Sequence, residues 1–507
     1  MIPIRDAAQI RAAEAAAFLL LHEGVLMQRA AHALTLSCIR LLTEVRGGSV
    51  GARVVLLVGS GNNGGDALWA GAMLAARGCR VDAMTVSDRV HGAGAAALRR
   101  AGGRFHSWDR DDDRQSAVLT TADLVVDGII GIGGDGALRP AAATLADAVR
   151  AAEAIVVAVD VPSGVQADTG IVAGAAVRAD VTVTFGAVKP GLVVAPGAAY
   201  AGAVQLVDIG IDFPDQPIAR VLEDLEVATW VPEPADDTYK YRRGVVGVAA
   251  GSHAYPGAAL LVTAAARHAN VGMVRYLDRA DGNAAMVVSH FPDVVVDGAP
   301  PAGQERVSAW ACGSGFPGER LDEITVMAIL EAAVPVVLDA GALKVVAESA
   351  DVRDRIADRW AAGLVTILTP HDGEFERIRP GALARGDGRL AAALSAAADL
   401  QAVVVLKGPG TVIAAPTGTA YVDTEGTSDL GTAGSGDVLS GVIGGLLAGA
   451  WADGRRDPES CVEATAAAVW LHGAAGRIAA QGAPITATDI ADAVPSAVMA
   501  ARFGSRV

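Results

Sequence analysis

Two aspartates, each tied to glycine-rich turns, carry the strongest chemical signals in this sequence. Asp437 closes the run Thr432-Ala433-Gly434-Ser435-Gly436-Asp437, directly before a long Gly/Leu segment. Closely spaced glycines let backbone N–H groups approach an anion at a helix N-terminus. An aspartate at that point can take a proton from an attacking hydroxyl. An anion hole beside a carboxylate base is what phosphoryl transfer to an alcohol requires. A capped helix whose dipole favours an acid would use the same residues. Lys407-Gly408-Pro409-Gly410-Thr411 follows a strand-like run and could wrap nucleotide phosphates. In Thr369-Pro370-His371-Asp372-Gly373-Glu374, Glu374 could act on magnesium through water. His371 has no third zinc ligand in view and reads equally as a structural histidine. Asp339 ends another apolar run, beside Lys344.

Asp160 anchors the second constellation. It ends an apolar run and opens Asp160-Val161-Pro162-Ser163-Gly164, and Asp127 opens a Gly-rich stretch through Gly131 and Gly133. Carboxylates ending two neighbouring strands suit a ligand site at a sheet edge. Upstream, Gly59-Ser60-Gly61-Asn62-Asn63-Gly64 matches the dinucleotide-binding pattern G-x-G-x-x-G. The match continues into Gly65 and Asp66, and an acid in the first helical turn would repel a bound pyrophosphate. Asp88 is only a rough candidate for the ribose-binding acid expected about 20 residues on. The asparagines and Asp66 fit a polar substrate cradle or a hard-cation site better, and an ordinary tight turn is the bland alternative. Of the 41 basic residues only Lys189, Lys240, Lys344 and Lys407 are lysine. An ammonium at a tight site is not interchangeable with a guanidinium, so the two lysines near the motifs, Lys189 and Lys407, stand out.

The elements that must position these residues follow from hydropathy. Buried strands are predicted at 53–59, 80–85, 124–127, 154–160 and 181–185, with helices over 11–45, 68–77 and 141–152 between them. Strand–helix alternation predicts a mostly parallel sheet covered on both faces. Residues 212–243 are Pro-rich and aperiodic, placing a domain boundary near 220. The pattern then restarts, with strands at 245–250, 334–339, 365–369, 402–407 and 412–415 and helices at 258–270 and 436–449. The chain is thus read as two α/β domains, 1–220 and 221–507.

Composition narrows the function classes. The 507 residues are 52% hydrophobic with a net charge of −16. Core material is ample, and so acidic a chain should not bind nucleic acid through a bulk field. Cys38, Cys79, Cys312 and Cys461 are far apart, which excludes a disulfide framework or thiol zinc site and suits the cytoplasm. The N-terminal apolar stretch is interrupted by charges, unlike a signal peptide. The uncharged run at 438–451 is shorter than the ~20 residues of a membrane span, so no membrane partner is expected. Ala-rich helices lead us to expect a homo-oligomer.

The motifs of the first half together resemble the NAD(P)H-hydrate epimerase family, a Rossmann-like fold, over residues 1 to about 215. The resemblance implies that Asn62, Asn63, Gly64, Gly65, Asp66 and the loop carrying Gly131 and Gly133 hold hydrated nicotinamide nucleotide. It implies potassium on Asn63, Asp127 and Ser163, all oxygen donors. Asp160 would contact substrate and, with Lys189, form the acid/base pair. Ala67, Ile132, Gln28 and Ala31 depart from the family pattern without removing a ligand. The second half, about 235 to 495, resembles the ribokinase-like superfamily, most closely ADP-dependent NAD(P)H-hydrate dehydratases. Here the resemblance implies that Ala259, Gly315, His371 and Asp437 bind the hydrate. Lys407, Gly408, Pro409, Gly410, Thr411 and Gly436 would bind the adenine nucleotide. Asp372, Gly341, Ala433 and Ser435 depart from the pattern. Gly341 stands where the family often has Asp, which argues against a metal role there.

These expectations combine into one pathway. Reduced nicotinamide nucleotides hydrate at C6 in R and S forms. The first domain would interconvert them, and the second would use ADP, with magnesium, to dehydrate the S form. The alternative is a ribokinase-like vitamin kinase with a non-catalytic Rossmann-like module. A nicotinamide oxidoreductase rests on the G-x-G-x-x-G match alone.

Overall fold

Aliphatic runs become strands buried on both faces, as parallel sheets require. The computed structural model describes residues 1–22, 24–279, 282–298 and 306–504. The chain divides into two units, Ile2–Ile218 and, with Met1, Ala219–Val507.

In the first unit the strands are Arg53–Val58 (β1), Arg80–Thr85 (β2), Arg104–Ser107 (β3), Leu124–Gly128 (β4), Ile155–Val159 (β5), Val181–Phe185 (β6) and Ala203–Val207 (β7). They form one seven-stranded sheet in the order β3-β2-β1-β4-β5-β6-β7. Every pairing is parallel. Val54, Leu56 and Val58 enter one apolar cluster, while Val55 and Leu57 enter another on the opposite face. This two-residue alternation is the strand period itself. The sheet is a doubly wound, Rossmann-like α/β layer. Strand order reverses between β1 and β4, and the crevice outside their carboxyl ends is where such sheets bind ligands.

The helix predicted from residue 68 begins at Asn62 and runs to Ala76. Asparagine and glycine are poor helix formers, but tertiary packing overrides that preference. A Cβ on Gly64 would lie 2.3 Å from the Gly59 carbonyl oxygen. One on Gly59 would lie 1.8 Å from that of Ile129. Glycine thus allows the first helical turn, the β1 loop and the β4 loop to touch.

In the second unit the strands are Ala219–Val221 (β8), Val245–Ala249 (β9), Met273–Leu277 (β10), Val295–Asp297 (β11), Ala309–Cys312 (β12), Val336–Leu338 (β13), Thr366–Leu368 (β14), Val403–Leu406 (β15), Thr411–Ala414 (β16) and Ala420–Asp423 (β17). Their order is β8-β17-β16-β15-β14-β13-β12-β9-β10-β11. The meander β15-β16-β17 is antiparallel, and β9 to β15 are parallel. The Gly/Leu segment forms the helix Ser435–Ala452, buried from Val438 to Ala448. A Cβ on its Gly441 would lie 2.4 Å from the Val262 carbonyl oxygen, so the helix Pro256–His268 can pack directly on its backbone.

Candidate active sites

The first site lies at the carboxyl ends of β1, β4 and β5. A cavity of about 1430 Å³ is lined by Asn62, Asn63, Asp66, Gly131, Gly133 and Asp160, among others. Gly64 and Gly65 are buried behind that wall. Asp160 follows β5 with φ 66°, a left-handed conformation that costs energy for a non-glycine residue and concentrates at functional sites. Its Oδ1 accepts hydrogen bonds from the Thr184 hydroxyl at 3.1 Å, the Phe185 amide at 3.3 Å and the Lys189 ammonium. Lys189 is fully buried. It also donates to Thr184 Oγ1 at 2.9 Å and to the Phe185 carbonyl at 3.0 Å.

Asp66 is also buried, and its Oδ1 and the Asn63 Nδ2 have no hydrogen-bond partner among the described residues. Burial first, then the charges of Asp160 and Glu14, holds the Asp66 carboxyl well above the usual carboxylate range. That favours the neutral acid, so the repulsion between Asp66 and a nearby phosphate is weaker than its ionised form would impose.

Asp127 and Ser163 are fully buried. The Asp127 carboxylate accepts from the Ser163 hydroxyl at 2.7 Å and the Ser163 amide at 2.8 Å. The Asn63 side chain lies across the β4 loop, its Oδ1 2.8 Å from where a Cβ on Gly131 would stand. Burial raises the Asp127 carboxyl to about 6, against the lowering effect of the Ser163 hydrogen bonds and the Ile129 amide. The Asp127 carboxyl, the Ser163 hydroxyl and the Asn63 amide are oxygen donors of the kind a hard cation takes.

The second site gathers at the carboxyl ends of the parallel strands of the second unit. Backbone hydrogen bonds join successive loops: Gly251 N–H to Ser314 O at 2.8 Å, Asp339 N–H to Cys312 O at 3.0 Å and Lys407 N–H to Pro370 O at 2.9 Å. Asp339 is the hub. It is 2% exposed and accepts from the Ser314 hydroxyl at 3.0 Å, the Thr369 hydroxyl at 2.6 Å and the Lys407 ammonium at 3.0 Å. Glu374 lies 3.7 Å from the same ammonium. Burial would discharge Lys407, but Asp339, Glu374 and Asp437 outweigh it and hold the ammonium above its usual range.

Asp437 sits in the first turn of Ser435–Ala452. Its carboxyl is pushed up to about 6, by burial first and by Asp339 second, with Ser314 and Lys407 opposing. A carboxyl in that range can exchange a proton near physiological pH. A Cβ on Gly436 would lie 3.2 Å from the Lys407 ammonium, so glycine keeps the helix N-terminus open to that cation.

The remaining candidates are distributed less evenly. Ala259 is fully buried, 2.8 Å from where a Cβ on Gly251 would stand. Gly315 adopts φ 74° beside Gly251 and Ala258. His371 is 59% exposed on its side chain and caps Asp372–Ile378, its Nδ1 accepting the Gly373 amide at 3.0 Å. Only its Nε2 is left to meet a ligand. Glu374 is engaged through Oε2 with the His371 amide at 2.9 Å. Gly408 to Gly410 form the β15–β16 turn, closed by the Thr411 hydroxyl on the Gly408 carbonyl at 3.0 Å. Pro409 is exposed at its tip.

Sequence reasoning missed several participants. Arg389 is buried and bonds both the Lys407 carbonyl and the Asp372 carboxylate at 2.7 Å, tying the nucleotide-loop and Glu374-loop candidates together. No motif marks it. Ser314 and Thr369 lay inside the motifs, but their convergence on Asp339 was not visible in one dimension.

Both halves of the chain match known proteins. The family described as NAD(P)H-hydrate dehydratase matches residues 246–496, and the family described as YjeF-related protein N-terminus matches 23–191. The bifunctional NAD(P)H-hydrate repair enzyme Nnr of Mycobacterium tuberculosis (strain ATCC 25618 / H37Rv) is 44% identical over 411 residues, covering 81% of each chain. The NAD(P)H-hydrate epimerase of Clavibacter sepedonicus is 44% identical over 223 residues, covering 42% of this chain and 93% of its own. The Bacillus subtilis ADP/ATP-dependent NAD(P)H-hydrate dehydratase co-crystallised with ATP/Mg2+ is 29% identical with TM-score 0.47, covering 56% of this chain and 99% of that one. With two matched halves and 44% identity over most of its length, the chain belongs to the family of bifunctional NAD(P)H-hydrate repair enzymes.

Proposed function

We propose that this chain repairs hydrated nicotinamide nucleotides in two steps. The first unit interconverts the R and S hydrates at C6. The second dehydrates the S form with ADP, giving NAD(P)H, AMP and phosphate. The observation that carries the reading is a carboxylate at each sheet's carboxyl edge with an ammonium beside it: Asp160 paired with Lys189, and Asp437 at a glycine-rich helix N-terminus near Lys407.

In the second unit Asp437 takes the proton of the C6 hydroxyl as its oxygen attacks the terminal phosphoryl of ADP. AMP leaves. Phosphate then departs from C6, driven by the lone pair of the ring nitrogen, and loss of a C5 proton restores the dihydropyridine. The N–H groups of the Gly436 turn and the Lys407 ammonium face the charge that develops on the transferring group. Lys407 to Thr411 and Gly436 are the proposed nucleotide contacts, and Ala259, Gly315 and His371 the proposed hydrate contacts. Glu374 would hold magnesium through water, and magnesium would neutralise charge on the phosphoryl oxygens.

In the first unit Asp160 handles the proton of the C6 hydroxyl, with Lys189 held against it. Asn62 to Asp66, Gly131 and Gly133 are the proposed substrate contacts. Asn63, Asp127 and Ser163 would hold potassium, whose charge would offset the buried Asp127. We expect potassium, compared with tetramethylammonium at equal ionic strength, to raise the melting temperature of the wild type but not of Asp127→Asn. Equal shifts in both would dismiss the site. A homo-oligomer in the cytoplasm remains the proposed state.

The test is a mixture of R and S NADH hydrates with full-length enzyme, ADP, magnesium and potassium. Recovery of reduced-nicotinamide absorbance from the whole mixture, with phosphate and AMP released, is the expected result. Recovery limited to the S fraction would remove the epimerase. A stable phosphomonoester in place of free phosphate would identify a plain kinase.

A further inference from the structure

One carboxylate on the wall of the first cavity belongs to no motif. Glu14 lies on the helix Ala7–Phe18, one turn beyond the buried Ile10, and lines the cavity together with Arg11, Asp66, Asp160 and Lys189. It is half-buried.

The need for it follows from Lys189. An ammonium has three N–H donors. Those of Lys189 are accounted for by Asp160, Thr184 and the Phe185 carbonyl, and the residue is fully buried. Lys189 therefore positions Asp160 and has no donor to spare for a substrate. Epimerisation at C6 nevertheless needs two proton-handling groups. If the C6–N1 bond opens, a base takes the hydroxyl proton as the carbonyl forms. The bond's electron pair goes to N1, which must gain a proton, and reclosure on the other face reverses both transfers. If the C6–O bond opens instead, the oxygen must gain a proton to leave as water. The N1 lone pair then holds the cation, and a water adding to the other face must lose one. Either route uses one acid and one base.

We infer that Glu14 is the acid that works opposite Asp160 in the epimerisation, an inference that rests on the epimerase reading above. Asp66 is the competing group, but it is buried, whereas half-buried Glu14 can reload its proton from water between turnovers. The environment agrees. Burial first, then the charge of Asp160, raises the Glu14 carboxyl above its ordinary range, with Lys189 and Arg11 opposing. Arg11 faces it from its own helix, Asp66 from Asn62–Ala76, and Asp160 and Lys189 from the sheet edge. Arg29, His32 and His91 line the same cavity.

The experiment follows R-to-S conversion of NADH hydrate by chromatography, without ADP, on full-length enzyme, with the spontaneous rate subtracted. Glu14→Gln is expected to lower kcat about 100-fold, the scale of general acid catalysis, with KM little changed. The acid must be protonated to act, so the wild-type rate falls as pH rises through the raised Glu14 pKa. That alkaline limb should vanish in Glu14→Gln and return in part in Glu14→Asp. Dehydration of the S hydrate with ADP by the same variants controls for general damage. A Glu14→Gln enzyme that keeps its rate and its alkaline limb overturns the inference. So does transfer of the whole effect to Asp66→Asn. Failure of the wild type to epimerise would instead overturn the underlying reading.

Discussion

Asp437→Asn is expected to lower ADP-dependent dehydration of the S hydrate about 1000-fold, within the range of a lost general base, while R/S interconversion is unchanged. Asparagine keeps the size of the side chain and its place in the first turn, so the glycine turn and helix should persist. What is lost is the ability to accept a proton. The wild-type pH profile makes the same point independently. Burial and Asp339 raise the Asp437 carboxyl from 3.8 to about 6, and the base must be ionised to act. Activity therefore falls as pH drops through about 6 and is full above it. Lys407 opposes the rise, so any change that removes its ammonium should move this acid limb to higher pH. The measurement is absorbance recovery from purified S hydrate across pH. An Asp437→Asn enzyme retaining a substantial part of the wild-type rate would dismiss Asp437 as the base.

Asp160→Asn is the second large effect. Epimerisation should fall about 100- to 1000-fold, with dehydration of the S hydrate intact. The substitution is informative because asparagine tolerates the left-handed conformation that Asp160 adopts at φ 66°, so the backbone need not move. It does leave the buried Lys189 ammonium without its anion. Breaking a buried pair in this way costs about 3–5 kcal/mol, so the first unit should melt earlier. Adding Lys189→Met removes the orphaned charge. The double variant should regain stability without regaining epimerisation, because the base is still absent. Recovery of epimerisation in the double variant would show that Asp160 only balances Lys189. Stability is read by thermal melting, and activity by R/S chromatography below the lowest melting temperature.

Much of the architecture was legible because central parallel strands are buried on both faces and read as unbroken apolar runs. Strands β2 and β6 fall at residues 80–85 and 181–185, as their hydropathy predicts. Edge strands were not legible. Arg104–Ser107 and Ala203–Val207 each have one neighbouring strand and are partly exposed, so their sequences carry polar residues and no long apolar run. The start of Asn62–Ala76 was hidden for a different reason. Its Asn and Gly residues disfavour a helix locally, and only contact with the Gly59 loop makes the helical turn the lower-energy choice.

The sequence by itself determined where chemistry could sit, because glycine turns, strand-ending acids and retained lysines are local patterns. It also determined the family, through motifs that span both halves. Which groups share a proton or an ion was decided only by tertiary structure. Asp339 and Lys407 are 68 residues apart in the chain yet hydrogen-bonded, and Lys189 is consumed by acceptors at Asp160, Thr184 and Phe185. The physical reason is that burial and charge act through space. A carboxyl's pKa and a donor's availability depend on every group within a few ångströms, and those neighbours come from loops that meet only when the sheet has formed.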